Sequence, residues 1–288
     1  MAQGPSKRPR LSGNNREDYA PLGLIWDGTD FSCAYDAAFT ILLHIWRLNP
    51  VNWSIRFSSF SPFLDILAKG FVHMVDGSYS FENTRDAVRK ALHQADNISF
   101  PLGNLGTNCN DLLFRCFKQS PYAYKYMQCP VCLYKDPVQT NIARTYNDIV
   151  HTRDYIYEEK SYTLEGVLEL TQVHTMDKVV RIFDIPSVII LGISEECERH
   201  IVAPYIKIPF EDKVYTLNLR GIIYGGNYHF TSRIISPNGT IWFHDGITTK
   251  SACKNQGSIK HLSSLDWLLT CNEDGGQKKA ITLIYAIR

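Results

Sequence analysis

Three residues of this 288-residue chain have the types that thiol acyl transfer needs: Cys33, His229 and Asp245. A thiol nucleophile requires a base to take its proton and a third group to orient that base. Cys33 lies in "WDGTDFSCAYDAAFTILLHIW", residues 26–46, where a polar turn gives way to an apolar run. On the first turn of a helix the unpaired amides and the positive end of the dipole favour a thiolate. Buried elsewhere, a Cys is only a small hydrophobe.

His229 and Asp245 lie in "GGNYHFTSRIISPNGTIWFHDGI", residues 225–247, where one strand follows His229 and the next precedes Asp245. A loop of Pro237, Asn238 and Gly239, with Gly239 left-handed, sets residue 236 opposite 240 and 231 opposite 245. His229 then stands one diagonal step from Asp245 on the same sheet face. A two-residue Asn238-Gly239 loop would put the two on opposite faces. The triad therefore requires the odd-length loop, or a bulge that corrects the register. Gly225 and Gly226 precede the His and let a loop pass close to a substrate backbone. His44 and His244 are the other imidazoles near these segments.

The elements that must hold these residues can be read from periodicity. Ala34, Ala37, Ala38, Ile41, Leu42, Ile45 and Trp46 recur at helical spacing, which predicts a helix over 32–47 with Ser32 as N-cap. Further helices are expected at about 61–69, 82–95, 108–118 and 163–171. From about residue 179 the pattern changes to short β-branched runs, "VVRIF", "SVIILGIS", "VYTLNLRGIIYGG", "YHFTSRIIS", "TIWFHDG" and "AITLIYAIR". A helical half followed by an antiparallel sheet half predicts an α+β architecture with a cleft where the halves meet.

Composition narrows the function classes. The net charge of +1 calls for neither nucleic acid nor an anionic membrane. No run of eighteen apolar residues predicts a membrane span. Residues 1–18 are rich in Pro, Ser, Gly, Asn and basic residues, so a disordered basic tail is expected there, with 19–288 as one domain. "SKRPR" reads equally as a nuclear import signal or a solubilising stretch. The tail has no secretory h-region, so an intracellular, reducing compartment is expected for the eight cysteines. In such a compartment metal binding or catalysis is the chemistry to look for. Cys129 and Cys132, in "CPVC", have the spacing of a zinc half-site. Cys197 and His200 in "CERH", or Cys109 and Cys116, are the available complements. The competing reading is a turn with two free thiols. Cys109, Cys116, Cys253 and Cys271 are expected to be inert.

The two ends of the chain resemble the cysteine and histidine boxes of the ubiquitin-specific proteases. "DGTDFSCAYDAAFTILL" occupies the place of the first box and "YTLNLRGIIYGGNYHFTSRIISPNGTIWFHDGI" that of the second, while "AITLIYAIR" is similar to the family's last core strand. The order Cys, His, Asp separates this reading from SUMO-type proteases, and ovarian-tumour deubiquitinases fit the first box less well. The resemblance implies a papain-like cysteine protease fold, with a thumb-like helical half and a palm- and fingers-like sheet half. It also implies a catalytic domain over 19–288 and a thiol isopeptidase that cleaves after the C-terminal glycine of ubiquitin or a ubiquitin-like partner. Cys33 is then the nucleophile, His229 the base and Asp245 its orienting group, with Gly225 and Gly226 flanking the channel for the Gly-Gly tail. No cofactor is implied for catalysis, a structural zinc in the fingers region is admitted, and the nucleus or cytoplasm is the expected location. Where the family has an Asn five residues before the Cys that helps stabilise the oxyanion, this chain has Gly28. That departure supports an alternative, a weak or inactive ubiquitin-binding or scaffolding domain of the same fold.

Overall fold

A computed structural model describes residues 20–117, 185–193, 202–210, 212–262, 264–273 and 275–288, together with the backbone of four strand segments between 123 and 182. Residues 1–18 lie outside the described residues, as do Cys129, Cys132, Cys197 and His200.

Five helices come first: α1 (Cys33–Trp46), α2 (Pro50–Phe60), α3 (Pro62–Asp76), α4 (Phe81–Ala95) and α5 (Cys109–Phe117). Their ends follow local chemistry. Asn49, Ser61 and Ser80 cap α2, α3 and α4 by accepting the amides of Asn52, Leu64 and Asn83. Proline opens both α2 and α3, and Gly77, at φ +82°, closes α3 in the left-handed region. The periodicity did not single out α2, whose apolar stripe is only Trp53, Phe57 and Phe60.

Strands β1 (Ala123–Gln128), β2 (Lys135–Asp136), β3 (Tyr162–Leu164) and β4 (Met176–Ile182) form a small sheet in the order β2-β1-β4-β3. The helix expected from residue 163 is contradicted at its start, because Tyr162–Leu164 pairs with β4 as a strand. The "YTL" stretch has the β-branched and aromatic composition that suits a ladder position. The remainder of that expected helix lies outside the described residues.

The main sheet is antiparallel. It contains β5 (Val188–Gly192), β6 (Tyr205–Phe210), β7 (Lys213–Gly226), β8 (His229–Ile235), β9 (Thr240–His244), β10 (Lys254–Ser258), β11 (Thr270–Cys271) and β12 (Lys278–Ala286). Its central path runs β10-β9-β8-β7-β12-β11, with β5 paired to β12 and β6 to β7. Both faces are covered. Ile223, Ile234 and Ile284 pack with the helices, while their neighbours Ile222, Ile235 and Leu283 join a second apolar cluster on the other face. Two covered faces explain the unbroken apolar runs "GIIY" and "TLIYA" in place of strict alternation.

Helix α1 lies between this sheet and the other helices, and every residue of it except His44 is buried. The predicted seven-residue apolar stripe therefore understated its burial. α1 approaches the sheet closely at Gly221 of β7, where a Cβ would stand 2.5 Å from two atoms of Ile41. Gly221→Ala should cost about 1–3 kcal/mol of stability by overpacking this contact. A urea titration reads the loss, and an unchanged midpoint would mean that α1 is not held against the sheet there.

Candidate functional site

Cys33 is the first residue of α1, with only 7 % of its surface exposed. Ser32 stands at the N-cap position in helical conformation and its side chain caps nothing, contrary to the expected role. Its hydroxyl instead accepts the Asp27 amide at 2.7 Å and donates to Asp36 Oδ2 at 2.7 Å. The amides of the first turn are thus left without the side-chain acceptor that a cap would supply.

The hairpin has the odd loop. Gly239 is left-handed at φ +88°, the Ser236 amide donates to the Thr240 carbonyl, and Ile235 opposes Ile241 down to Ser232 opposite His244. This register extends to 231 opposite 245, and His229 Nε2 lies 2.8 Å from Asp245 Oδ1. The carboxylate is itself fixed by the Ile247 amide at 2.9 Å on Oδ1 and by the Thr248 hydroxyl at 2.8 Å on Oδ2. Burial would raise the Asp245 pKa, but the His229 hydrogen bond and these two donors outweigh it and bring it down to about 2. Nε2 being engaged, Nδ1 is the nitrogen left for a thiol, and the Cys33 side chain is close enough to help raise the His229 pKa.

Burial would lower the His229 pKa. The Asp245 hydrogen bond, then the neighbouring Cys33 side chain, overcome burial and raise it to about 9. Stability from this pairing is fully present below the unfolded value near 6.5 and is lost as pH rises through about 9. The stability gap between the wild type and His229→Gln should therefore narrow between pH 6.5 and 9.5 in urea melts. A gap that widens with pH would contradict the arrangement.

The alternative imidazoles are placed elsewhere. His44 lies about 16 Å along α1 from Cys33 at 1.5 Å per residue. His244 Nε2 lies 2.9 Å from the Leu24 carbonyl and 3.1 Å from that of Lys250, which ties the chain entering the site to the strand that precedes Asp245. Gly225 and Gly226 end strand β7 as paired residues and do not form a free loop, and Gly226 faces His229 directly. The chain then turns in two residues, Asn227 and Tyr228, at φ +52° and +56°. This is the left-handed pair that a tight hairpin needs, and it leaves Tyr228 fully exposed beside His229.

Two positioning residues escaped sequence reasoning. Arg85 and Arg89, one turn apart on α4, are both buried against the turn that leads into Cys33. Arg85 Nη1 donates to the Ile25 carbonyl at 2.8 Å, to Ser32 Oγ at 3.2 Å and to Asp36 Oδ1 at 2.9 Å. Arg89 donates to the Asp30 carbonyl and stacks 4.8 Å from the centre of the Tyr35 ring. The Asp30 carboxylate accepts the Gly103 amide at 2.6 Å. At Gly28 a Cβ would stand 2.8 Å from the Trp26 ring, which fills the place a side chain would need.

The other cysteines are inert packing groups, as expected. Cys109, Cys116, Cys253 and Cys271 are buried and free, and burial pushes the Cys116 and Cys253 thiols up to about 12. The Cys129 and Cys132 half-site lies outside the described residues. Among the described residues no group of three His, Cys, Asp or Glu is placed to hold a metal.

No family model and no curated protein matches the chain. Among solved structures it is similar to the SAGA Ubp8/Sgf11/Sus1/Sgf73 DUB module bound to ubiquitin aldehyde. There the identity is 14 %, with 93 % of this chain and 69 % of that chain covered at a TM-score of 0.51. It is also similar to the Neurospora crassa Pan2 catalytic unit, a protease and nuclease domain. For that structure the identity is 10 %, with 93 % and 57 % covered at a TM-score of 0.54. At these identities the likeness is one of fold. The chain has a divergent ubiquitin-specific-protease-like fold, with helices in its N-terminal half and an antiparallel sheet in its C-terminal half.

Proposed function

We propose that the chain is a thiol-dependent isopeptidase that cleaves after the C-terminal glycine of ubiquitin or a ubiquitin-like modifier. The observation that carries this reading is the His229–Asp245 hydrogen bond at 2.8 Å, with Cys33 on the first turn of α1 near enough to act on the same imidazole. Cys33 attacks the glycyl carbonyl as the His229 imidazole takes or already holds its proton, and the first-turn amides of α1 receive the oxyanion. Collapse expels the amine, which takes its proton from His229 and leaves a thioester. Water, deprotonated by His229, then releases the free carboxylate. Asp245 holds the imidazole orientation throughout. No step calls for a cofactor.

A protein tail suits the surroundings. Phe31 lies two residues before Cys33, Tyr228 immediately before His229 and Ile247 two residues after Asp245, and all three are exposed. Phe31 stacks on Trp26 with ring centroids 6.4 Å apart. Gly225 and Gly226 bring bare backbone beside His229, as a channel for an extended Gly-Gly tail requires. No described helix is long and apolar enough to cross a membrane, and the basic "SKRPR" stretch supports a nuclear or cytoplasmic location.

One observation favours a second reading, a modifier-binding domain without turnover. Residue 28 offers no side-chain donor and Trp26 fills its space. Loss of one oxyanion donor costs about 2.7–4 kcal/mol in the barrier, a hundred- to a thousandfold in rate. Hydrolysis of a fluorogenic ubiquitin C-terminal amide separates the two readings. Turnover that vanishes in Cys33→Ala supports the isopeptidase. Tight ubiquitin binding with no turnover in the wild type would favour the binding domain.

A further inference from the structure

One cation lies beside the proposed site with no part yet in its chemistry. Lys278, the first residue of β12, is only 2 % exposed. It pairs with Cys271 of β11, and the next residue, Lys279, pairs with Gly225 of β7. The register therefore sets Lys278 opposite Gly226, which on its other side pairs with His229 of β8. Residues opposite one another share a face of a sheet, so Cys271, Lys278, Gly226 and His229 form one row across four strands. The row is tight at its glycine, where a Cβ would stand 3.2 Å from Lys278 Cγ and 3.3 Å from Lys278 Cα. A Cβ at Gly276 would stand 2.8 Å from Asn227 Nδ2, so the chain entering β12 is seated against the turn that precedes His229.

Strands about 4.8 Å apart put the Lys278 and His229 backbones about 10 Å from one another. Only the bare backbone of Gly226 stands between them in the row, and the Lys278 stem lies against it. The other titratable or charged groups facing this row are Tyr224 on β7, Arg233 on β8, Asp245 beyond β9 and Cys33 on α1. Arg233 is occupied, since it donates to the Tyr224 hydroxyl, the Thr270 carbonyl and Gln256. Burial lowers the Lys278 pKa, while Asp245, then Cys271 and Cys33, draw it up, which agrees with an ammonium turned toward the site.

We infer that Lys278 is a positioning residue for the proposed reaction: its ammonium, carried over Gly226 toward His229, opposes Asp245, so that the imidazole does not hold its proton too tightly to act as a base. A general base works best when its pKa lies near the operating pH. Asp245 by itself favours the imidazolium, whereas a cation in the same row favours the neutral ring and the Cys33 thiolate alike. Gly226 serves this arrangement by leaving no side chain between the two groups. The role rests on the isopeptidase reading, but its test needs no turnover.

The test is titration of the His229 ring by nuclear magnetic resonance in the full chain, with His229→Gln assigning the signal. A unit charge about 10 Å away, at an effective dielectric constant of about 20, moves a pKa by about one unit. The His229 midpoint should therefore rise by about one pH unit in Lys278→Met and return to the wild-type value in Lys278→Arg. Lys278→Gln is the second neutral variant, with a polar tip in place of an apolar one, and should show the same rise. A purely structural Lys278 predicts the opposite sign, because loosening the His229–Asp245 contact lowers the midpoint. A midpoint that falls or stays in place in a folded neutral variant would overturn the role. The titration is read without substrate, so failure here is distinct from failure of the isopeptidase reading, which shows as an absence of turnover in the wild type.

Discussion

Replacing His229 by alanine should lower turnover of a ubiquitin C-terminal amide by about a hundred- to ten-thousandfold, the usual range for a general base, and leave the far-ultraviolet circular dichroism unchanged. The size of the effect follows from the lack of a substitute. His44 is about three turns away along α1, and His244 is locked between the Leu24 and Lys250 carbonyls. Alkylation of Cys33 by iodoacetamide should slow as well, because the thiol loses the group that holds its proton. Asp245→Asn should be milder, since an amide oxygen can still accept from Nε2 while losing the charge that favours the imidazolium. Turnover within a few-fold of wild type in His229→Ala would remove His229 from the mechanism.

The second large effect concerns the turn before Cys33. Arg85 and Asp36 are almost fully buried and 2.9 Å apart, and Arg85 also binds Ile25 and Ser32. Breaking such a pair from one side typically costs about 3–5 kcal/mol, because the remaining charge is stranded. Arg85→Met should therefore destabilise by about that amount, measured in urea at pH 8. Burial already raises the Asp36 pKa to about 6 against the pull of Arg85, so without Arg85 the carboxyl will protonate more readily. The cost should accordingly shrink as pH falls from 8 to 5. The double variant Arg85→Met with Asp36→Leu should regain most of the stability, since both charges leave together. It should not regain turnover, because the Ile25 carbonyl still lacks its Arg85 donor and the turn into Cys33 loses that anchor. Full activity in the stable double variant would show that the α4 arginines serve packing alone.

The reach of sequence reasoning follows the distance over which each interaction acts. The hairpin was legible because Pro237, Asn238 and Gly239 mark a local turn, but they left an odd and a two-residue loop open; requiring His229 and Asp245 on one face chose the odd loop, which then fixes every pairing up to Asp245. The start of α1 was legible because a polar turn meets an apolar period at Cys33. Ser32 was misassigned in role: the position was right, but Asp27 and Asp36 compete for its hydroxyl. Arg85 and Arg89 carried no signal, since they act on carbonyls about 60 positions away. Within α4 they read as ordinary solvated charges. Strand β10 was passed over for a similar reason, as "KNQGS" owes its ladder to a neighbouring strand, whereas β6 carried a readable alternation, with Ile206 and Ile208 buried between exposed Tyr205 and Lys207, that was missed.

The central claim is that Cys33 is a nucleophile aimed at the end of a ubiquitin-like tail. The most direct measurement is labelling with ubiquitin that carries a thiol-reactive group at its C-terminus, on the wild type and on Cys33→Ala, read by intact mass. The account predicts one adduct on the wild type and none on the variant. A folded wild type that acquires no adduct, or an adduct that persists in Cys33→Ala, would contradict it.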